Sequence, residues 1–371
     1  MLSVIVLAQI IGLLVLIVRL FPGRRRPPPV APILHSSATG EISIIVATLN
    51  EAHRIAPCIE GLIAQGPVVG EILFVDSGST DGTGALIEAA ARRDPRIRLL
   101  RDDPLPGGWV GKVWALQHGL AHASTPWVLG MDADTIPQPG MAAGVLGAAR
   151  VNRYAAVSFA PRFRISTAAE RWLQPALLVT LVYRFGAAGA DSDSERVMAN
   201  GQCFLARRST LLGAGGYSSA KASFSDDVTL ARHLARRGHR VGFLDGSRLY
   251  DVRSYTSAVQ AWREWGRSLD LKDSTSRTRQ CADVLFLLVV QGTPVPVFLF
   301  VAAAGVSGFE LLLSTSLALF AVRVMLQFAL AASYAERGVA FWLSPLADPL
   351  AALRILLSSL RRPRSWRGRS Y

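Results

Sequence analysis

The chain has 371 residues, half of them hydrophobic, with a mean hydropathy of +0.31 and a formal net charge of +13. The apolar excess is concentrated at the two ends and predicts a membrane protein with a polar middle, so the surplus of arginine is assigned to an anionic membrane face rather than to nucleic acid. No zinc finger, RNA-binding aromatic signature or basic leucine zipper accompanies the charge, and Cys58, Cys203 and Cys281 form neither a metal-ligand spacing nor a disulfide framework, which predicts a reducing compartment for the polar middle.

Residues 2–18 are apolar except for Ser3, Gln9 and Gly12, close to the lower length for a membrane span. No charge precedes the run and no small-x-small site closes it, so residues 1–22 read as a retained anchor and not a cleaved signal. Arg19, Arg24, Arg25 and Arg26 follow, which by the positive-inside tendency puts the N-terminus outside and the following residues in the cytoplasm. Residues 23–40 read as a basic, Pro-rich linker, stiffened by Pro27, Pro28 and Pro29.

Residues 41–255 alternate strand and helix patterns. Strands are predicted at 41–49, 71–75 and 97–101, helices at 53–65 and 82–93, and a further helix opens at Lys112. That alternation predicts an α/β domain with a mostly parallel sheet flanked by helices. Polar clusters close successive strands: Thr48-Leu49-Asn50-Glu51, then the run from Asp76 to Thr83 (DSGSTDGT), then Asp132-Ala133-Asp134 after the apolar run from Trp127. They should converge on the carboxyl edge, where open α/β sheets bind ligands.

Asp132 and Asp134 flank one small residue and should point the same way. Two hard oxygen donors on one face suit Mg²⁺ or Mn²⁺ riding in with a diphosphate, Asp134 as the more direct ligand and Asp132 nearer the donor's ribose or the metal's outer shell. The plain alternative is a polar exit from strand to turn. Asp76 sits where a carboxylate could accept a nucleobase N–H, while Asp81 caps the next helix. Lys112, in GGWVGKVW, either meets a phosphate or is a solvated surface lysine; the glycine spacing is not that of a P-loop. His118 and His122 stand one helical turn apart, but Gly119 occupies the place of a zinc-protease glutamate and no third ligand is evident.

Further along, residues 155–163 predict a strand. Residues 167–189 predict a helix lying in the bilayer surface, with a buried core helix as the alternative. Residues 200–207 predict a strand crossing under the site. Ser225-Asp226-Asp227 then opens a helix that Gly238 ends. Two successive aspartates exceed what a cap needs, which frees one of them, ionised at the helix N-terminus, to accept a proton. Residues 256–282 interleave Trp and Arg around Gln260, Trp262, Arg263 and Trp265, suiting an amphipathic helix at the membrane surface near a diphosphate. Residues 283–333 predict a transmembrane hairpin in which Arg323 needs a partner. Residues 334–371 read as an interfacial or re-entrant segment, broken by Pro345 and Pro349, with a basic cytoplasmic tail.

In order and spacing, the ATLNE strand end, the VDSGSTDGT turn, the Met131-Asp132-Ala133-Asp134 strand end and the Ser225-Asp226-Asp227 helix start resemble the family 2 glycosyltransferases, over roughly residues 41–371. GGWVGKVWALQHG and the closing WRGRSY resemble the membrane-bound branch acting on carotenoids and hopanoids. The resemblance implies a GT-A fold with an N-terminal transmembrane helix and C-terminal transmembrane helices. It also implies that Thr48, Asn50, Glu51 and Asp76 hold the nucleoside, that Asp132 and Asp134 hold the diphosphate through Mg²⁺ or Mn²⁺, and that Asp227 is the catalytic base, with Asp226 where the family usually has Glu. Gln260-x-x-Arg263 is followed by Glu264 where the processive polysaccharide synthases have Trp, a departure that argues against polymer extrusion. The implied activity is inverting transfer from a nucleotide sugar, a UDP-sugar favoured, to a hydroxyl of a lipid, a carotenoid or other isoprenoid, by a multi-pass protein of the cell membrane with a cytoplasmic catalytic domain. A polyprenyl-phosphate acceptor and a membrane-attached binding protein with an inactive transferase fold are the competing readings.

Overall fold

The computed structural model describes residues 2–360 except 103, 190–193, 254, 256 and 270, omits the side chains of 267 and 268, and adds the backbone of 365–366 and 369–370. The chain forms two compact units. One gathers Met1–Arg26, Arg164–Ala190 and Ser254–Pro363; the other gathers Pro27–Phe163, Asp191–Arg253 and Arg364–Tyr371. The segment boundaries read from the sequence therefore do not coincide with the compact units: residues 164–190 leave the polar middle, and residues 27–40 join it.

The polar unit is built on strands β1 (Ile42–Thr48), β2 (Val69–Asp76), β3 (Ile97–Arg101), β4 (Trp127–Asp132), β5 (Thr135–Pro137), β6 (Ala156–Ala160), β7 (Arg162–Phe163), β8 (Cys203–Arg207), β9 (Val241–Asp245) and β10 (Tyr250–Val252). Seven of them form the main sheet in the order β3-β2-β1-β4-β8-β6-β9, and β5-β10-β7 form a small second sheet. All neighbours in the main sheet are parallel except β8, which runs antiparallel to both β4 and β6. The single strand predicted at 155–163 is split at Pro161, which has no N–H to donate to a ladder, so β6 and β7 join different sheets.

β-Branched and other large apolar residues fill the buried faces of the central strands. Ile42, Ile44, Val46, Ile72, Phe74, Leu129 and Met131 pack in one core with the helices Ala56–Ile63 and Met141–Val151. On the opposite face the helix Gly111–His122 lies so close that a side chain at Gly119 would sit 2.4 Å from Ile45 Cγ2. Close packing thus accounts for the glycine between the two histidines. The presumed spacer is not free: Val30 N donates to Asp245 O at 2.8 Å and Ile33 N to Gly140 O at 3.0 Å.

The other unit is helical. Leu2–Arg25 and Glu310–Ser333 are long and apolar enough to cross a membrane. The predicted first arm of the hairpin is bent by 43° between Arg277–Gly292 and Pro294–Ala304, where a π-helical turn precedes Thr293 and Pro294. Two of the breaks in the N-terminal run, Gln9 and Gly12, face other segments of this unit, while Ser3 is exposed. Gln9 Nε2 donates to Thr293 Oγ1 at 2.8 Å and to Ser316 Oγ at 2.9 Å, and a side chain at Gly12 would meet Val290 Cγ1 at 2.5 Å. Arg323 has the partner it needs, its Nε 2.9 Å from Asp348 Oδ2, with Gln327 and Ser344 completing the network.

The prediction of a surface-lying helix at 167–189 is not met. Ala168–Phe185 buries Leu173, Pro175, Ala176, Leu177, Val179, Thr180 and Tyr183, positions spread around its circumference, and is the core helix of this unit. The segment at 338–360 is broken as its prolines require, into Gly338–Trp342, a 3₁₀ turn Ser344–Ala347 and Asp348–Leu360. From residue 361 the predicted basic tail lies outside the described residues, save the paired two-residue strands Ser365–Trp366 and Arg369–Ser370.

Candidate active site

Sheet register brings the polar strand ends together. Thr48 pairs with Asp76 across β1 and β2, and Ala47 with Asp132 across β1 and β4. Parallel strands all end on the same edge, so the carboxylates of two strands and the threonine between them share it.

The first two loops of this edge are laced to each other. Asn50 has φ of 56°, a left-handed conformation that Asn tolerates, and its Oδ1 accepts from Thr80 N at 2.9 Å while its own N donates to Ser79 Oγ. Ala52 N donates to Asp81 Oδ2 and Glu51 N to Thr83 Oγ1. Asp81 also accepts from Thr83 N, but the cap position itself is Gly82, at φ 94°. Asp76 is buried and accepts from Thr48 Oγ1 at 3.3 Å, from Ser79 N at 3.2 Å and from Ser79 Oγ. Thr48, Asn50, Glu51 and Asp76 are therefore gathered as a group.

The second cluster is electrostatic. Lys112 Nζ lies 2.6 Å from Asp132 Oδ1. Burial alone would lower the Lys112 pKa, but Asp132 and Asp226 outweigh it, so the ammonium stays charged. Asp227 is reached through Gly201, whose N donates to Asp227 Oδ2 at 2.7 Å; Asp227 Oδ1 accepts from Val228 N at 2.8 Å. A side chain on Gly201 would stand 3.1 Å from Lys112 Nζ and 3.5 Å from Asp227 Cβ, so the glycine lets the aspartate and the lysine approach. Desolvation, then the charge of Asp226, push the Asp227 carboxyl up to about 7. Ser225 precedes the helix Asp226–Arg236 without a side-chain capping bond.

Asp132 and Asp134 are partly open to solvent while Ala133 between them is buried; β4 ends at Asp132 and residues 133–134 form a turn before β5, so the strand alternation expected for the pair stops at its first member. Asp134 Oδ1 is buried with no hydrogen-bond partner, and desolvation with the neighbouring Asp132 pushes this carboxyl up to about 6. An orphaned carboxylate oxygen beside a second carboxylate fits a hard divalent cation. Among the described residues no cluster of three or more His, Cys, Asp and Glu side chains forms, so the remaining ligands would have to come from donor phosphate or water. His118 and His122 stack with ring centroids 4.5 Å apart and gain no third partner of that kind.

Two residues passed over in the sequence join the group: Gly201, and Arg54, whose Nη1 is 3.4 Å from Asp134 Oδ2. A basic residue three positions after Glu51, on the turn facing the acidic strand end, was the available signal for Arg54. Arg263 is not among the residues of this unit; it is exposed on the helix Ala258–Ser268 of the other.

An open, mostly parallel sheet with an acidic carboxyl edge, a lysine and a helix-start carboxylate defines a GT-A-like fold. Residues 43–213, just under half of the chain, match the family described as Glycosyl transferase family 2. It is 36% identical over 101 residues to the succinoglycan biosynthesis protein ExoO of Rhizobium meliloti (strain 1021), covering 27% of this chain and 27% of that protein. It is 36% identical over 93 residues to the lipopolysaccharide core biosynthesis glycosyltransferase LpsC of the same organism, covering 25% and 31%. It is 30% identical over 111 residues to the dolichyl-phosphate beta-glucosyltransferase ALG5C of Trichomonas vaginalis (strain ATCC PRA-98 / G3), covering 28% and 32%. The match thus spans less than a third of each of these relatives. In fold, the chain is similar to the mannosyltransferase PcManGT from Pyrobaculum calidifontis, solved in complex with GDP-Man and Mn²⁺, with TM-score 0.59, 18% identity, and coverage of 97% of this chain and 99% of that one.

Proposed function

We propose that this protein is an inverting glycosyltransferase that moves a sugar from a nucleotide-sugar donor to a hydroxyl of a lipid acceptor, a carotenoid or other isoprenoid. The observation that carries the reading is the juxtaposition at Gly201, with Lys112, already paired to Asp132, on one side and Asp227 on the other. In this reading Lys112 is the cation for the leaving diphosphate and Asp227 the carboxylate that accepts a proton.

In this reading Thr48, Asn50, Glu51 and Asp76 form the nucleoside end of the donor site. Asp132 and Asp134 are the residues that would hold Mg²⁺ or Mn²⁺, which when bound would supply charge neutralisation for the departing diphosphate. Lys112 contributes a fixed positive charge to the same group. The acceptor oxygen attacks the anomeric carbon as its proton passes to Asp227, the glycosidic bond forms, and the nucleoside diphosphate leaves from the opposite face, which inverts the anomer. A carboxylate with a pKa of about 7 is matched to this task near neutral pH. The PcManGT complex with GDP-Man and Mn²⁺ supports a nucleotide-sugar and divalent-metal reading, with a UDP-sugar donor kept as the first to test. The helices Leu2–Arg25 and Glu310–Ser333 support delivery of the acceptor from a bilayer, in a multi-pass topology with the polar unit cytoplasmic.

A second reading, transfer to a polyprenyl phosphate, is favoured by the similarity to a dolichyl-phosphate glucosyltransferase. A phosphate acceptor is already ionised and needs no strong base. Asp227→Asn distinguishes the two: with a hydroxyl acceptor, turnover falls about 10²–10⁴-fold while donor binding persists. Nearly unchanged turnover would sink the hydroxyl version. Expression in a pigment-producing bacterium lacking its own transferase, read by mass spectrometry, tests the acceptor. Unchanged pigments beside a glycosylated hopanoid, glycerolipid or polyprenyl phosphate would remove the carotenoid and keep the transferase.

A further inference from the structure

The guanidinium of Arg54 is held between two carboxylates. Its Nε donates to Glu51 Oε2 and its Nη2 to Glu51 Oε1 at 3.2 Å, while Nη1 lies 3.4 Å from Asp134 Oδ2. The arginine side chain is 23% exposed, Glu51 4% and Asp134 16%, so the pairing is sheltered and screened less than a surface ion pair. Lys112 occupies the equivalent position on Asp132. Each carboxylate of the Asp132–Asp134 pair thus has its own cation from the chain.

We propose that Arg54 makes metal binding conditional on the donor. Anchored by its fork to Glu51, it cannot swing away from Asp134, so a divalent ion arriving alone meets a fixed positive charge beside its ligand. A diphosphate arriving with the ion reverses the sign of that effect: the guanidinium then faces an anion and adds a charge-assisted hydrogen bond. Arg54 opposes the metal by itself, favours the metal–nucleotide pair, and couples the two binding events. Glu51 becomes the positioning residue for Arg54, a role distinct from contact with the nucleoside. This inference rests on Asp132 and Asp134 being the metal pair.

The test is calorimetric titration of the detergent-solubilised full chain with Mn²⁺ alone, and with UDP and GDP at saturating Mn²⁺. In Arg54→Gln, Mn²⁺ alone binds about tenfold tighter, and the preferred nucleotide with Mn²⁺ binds about tenfold weaker. Opposite signs are the signature; a merely structural arginine would weaken both. Shifts in the same direction, or none, overturn the proposal. Arg54→Lys keeps the charge without the fork and shows the same two shifts at smaller size, which keeps the proposal open to refutation if the glutamine variant does not fold. Asp134→Asn is the control for the underlying reading: Mn²⁺ binding unchanged there would reject the metal pair itself, whatever Arg54 does.

Discussion

Lys112 Nζ and Asp132 Oδ1 are 2.6 Å apart at the end of β4, and the ammonium stays charged in the field of Asp132, Asp226 and Asp227. In the proposed mechanism the pair joins the donor side of the edge to its base side. Lys112→Met should therefore affect both, with a fall in kcat of about 10²-fold and a rise in the donor dissociation constant. Steady-state kinetics with a titration of nucleotide binding separate the effects, and a change confined to acceptor KM would place Lys112 elsewhere.

Gly201 has the Lys112 ammonium and Asp227 within contact distance of the position where a side chain would begin. Gly201→Ala should lower kcat/KM about tenfold by moving those two groups apart, with little change in melting temperature. Equal losses of stability and activity would mean that the glycine serves packing.

The two raised carboxyls give opposite pH slopes for stability and activity. Asp227 is pushed up to about 7 and Asp134 up to about 6, both first by desolvation and then by a neighbouring aspartate. A carboxyl whose folded pKa exceeds its unfolded value keeps a proton that the unfolded chain has released, so its contribution to stability falls as pH rises between the two values. The melting temperature of the metal-free protein should fall between about pH 4 and pH 7, and Mn²⁺ should reduce that fall. Turnover should rise around pH 7, where Asp227 ionises to the form that the proposed mechanism needs. Asp226→Asn removes the like charge and should move the rising limb to lower pH; a limb that stays in place would assign it to another group.

In the helical unit, Arg323 and Asp348 are a buried ion pair. Arg323→Met or Asp348→Asn strands the other partner and should cost about 3–5 kcal/mol, whereas the double substitution should recover much of the loss. Thermal unfolding of the four forms in detergent gives the coupling directly.

Asn50 needs its left-handed backbone and its amide for the bond to Thr80. Asn50→Gly keeps the first and loses the second; Asn50→Ala loses both. Donor affinity should decrease in the order wild type, glycine, alanine. Equal affinity in all three would detach this loop from the donor.

The strands of the polar unit were legible because β-branched apolar runs ended in clusters of Gly, Ser, Thr and Asp. β3 falls at its predicted bounds. Asp132 and Asp134 were legible for the same reason, as an apolar run broken by two charges. The helix Ala168–Phe185 was misread because its composition, arginines at both ends and aromatics between, is shared by surface helices and by core helices whose ends reach solvent; only the packing decides. Arg54 and Gly201 were missed because their meaning is a contact with residues 80 and 26 positions away in sequence, to Asp134 and Asp227. The sequence could locate acids at strand ends, but not the cation already sitting on them.

Gln9 in the first helix is hydrogen-bonded to Thr293 and Ser316, and the unit containing it draws on three separated stretches of the chain. The order of synthesis then constrains assembly. The first helix leaves the ribosome nearly three hundred residues before its polar partners exist, while the polar unit can close its main sheet once β9 has emerged. Until residues 293 and 316 have emerged, Gln9 has an unmet amide in an apolar helix, a chemical reason for that helix to be chaperoned and to settle only after them.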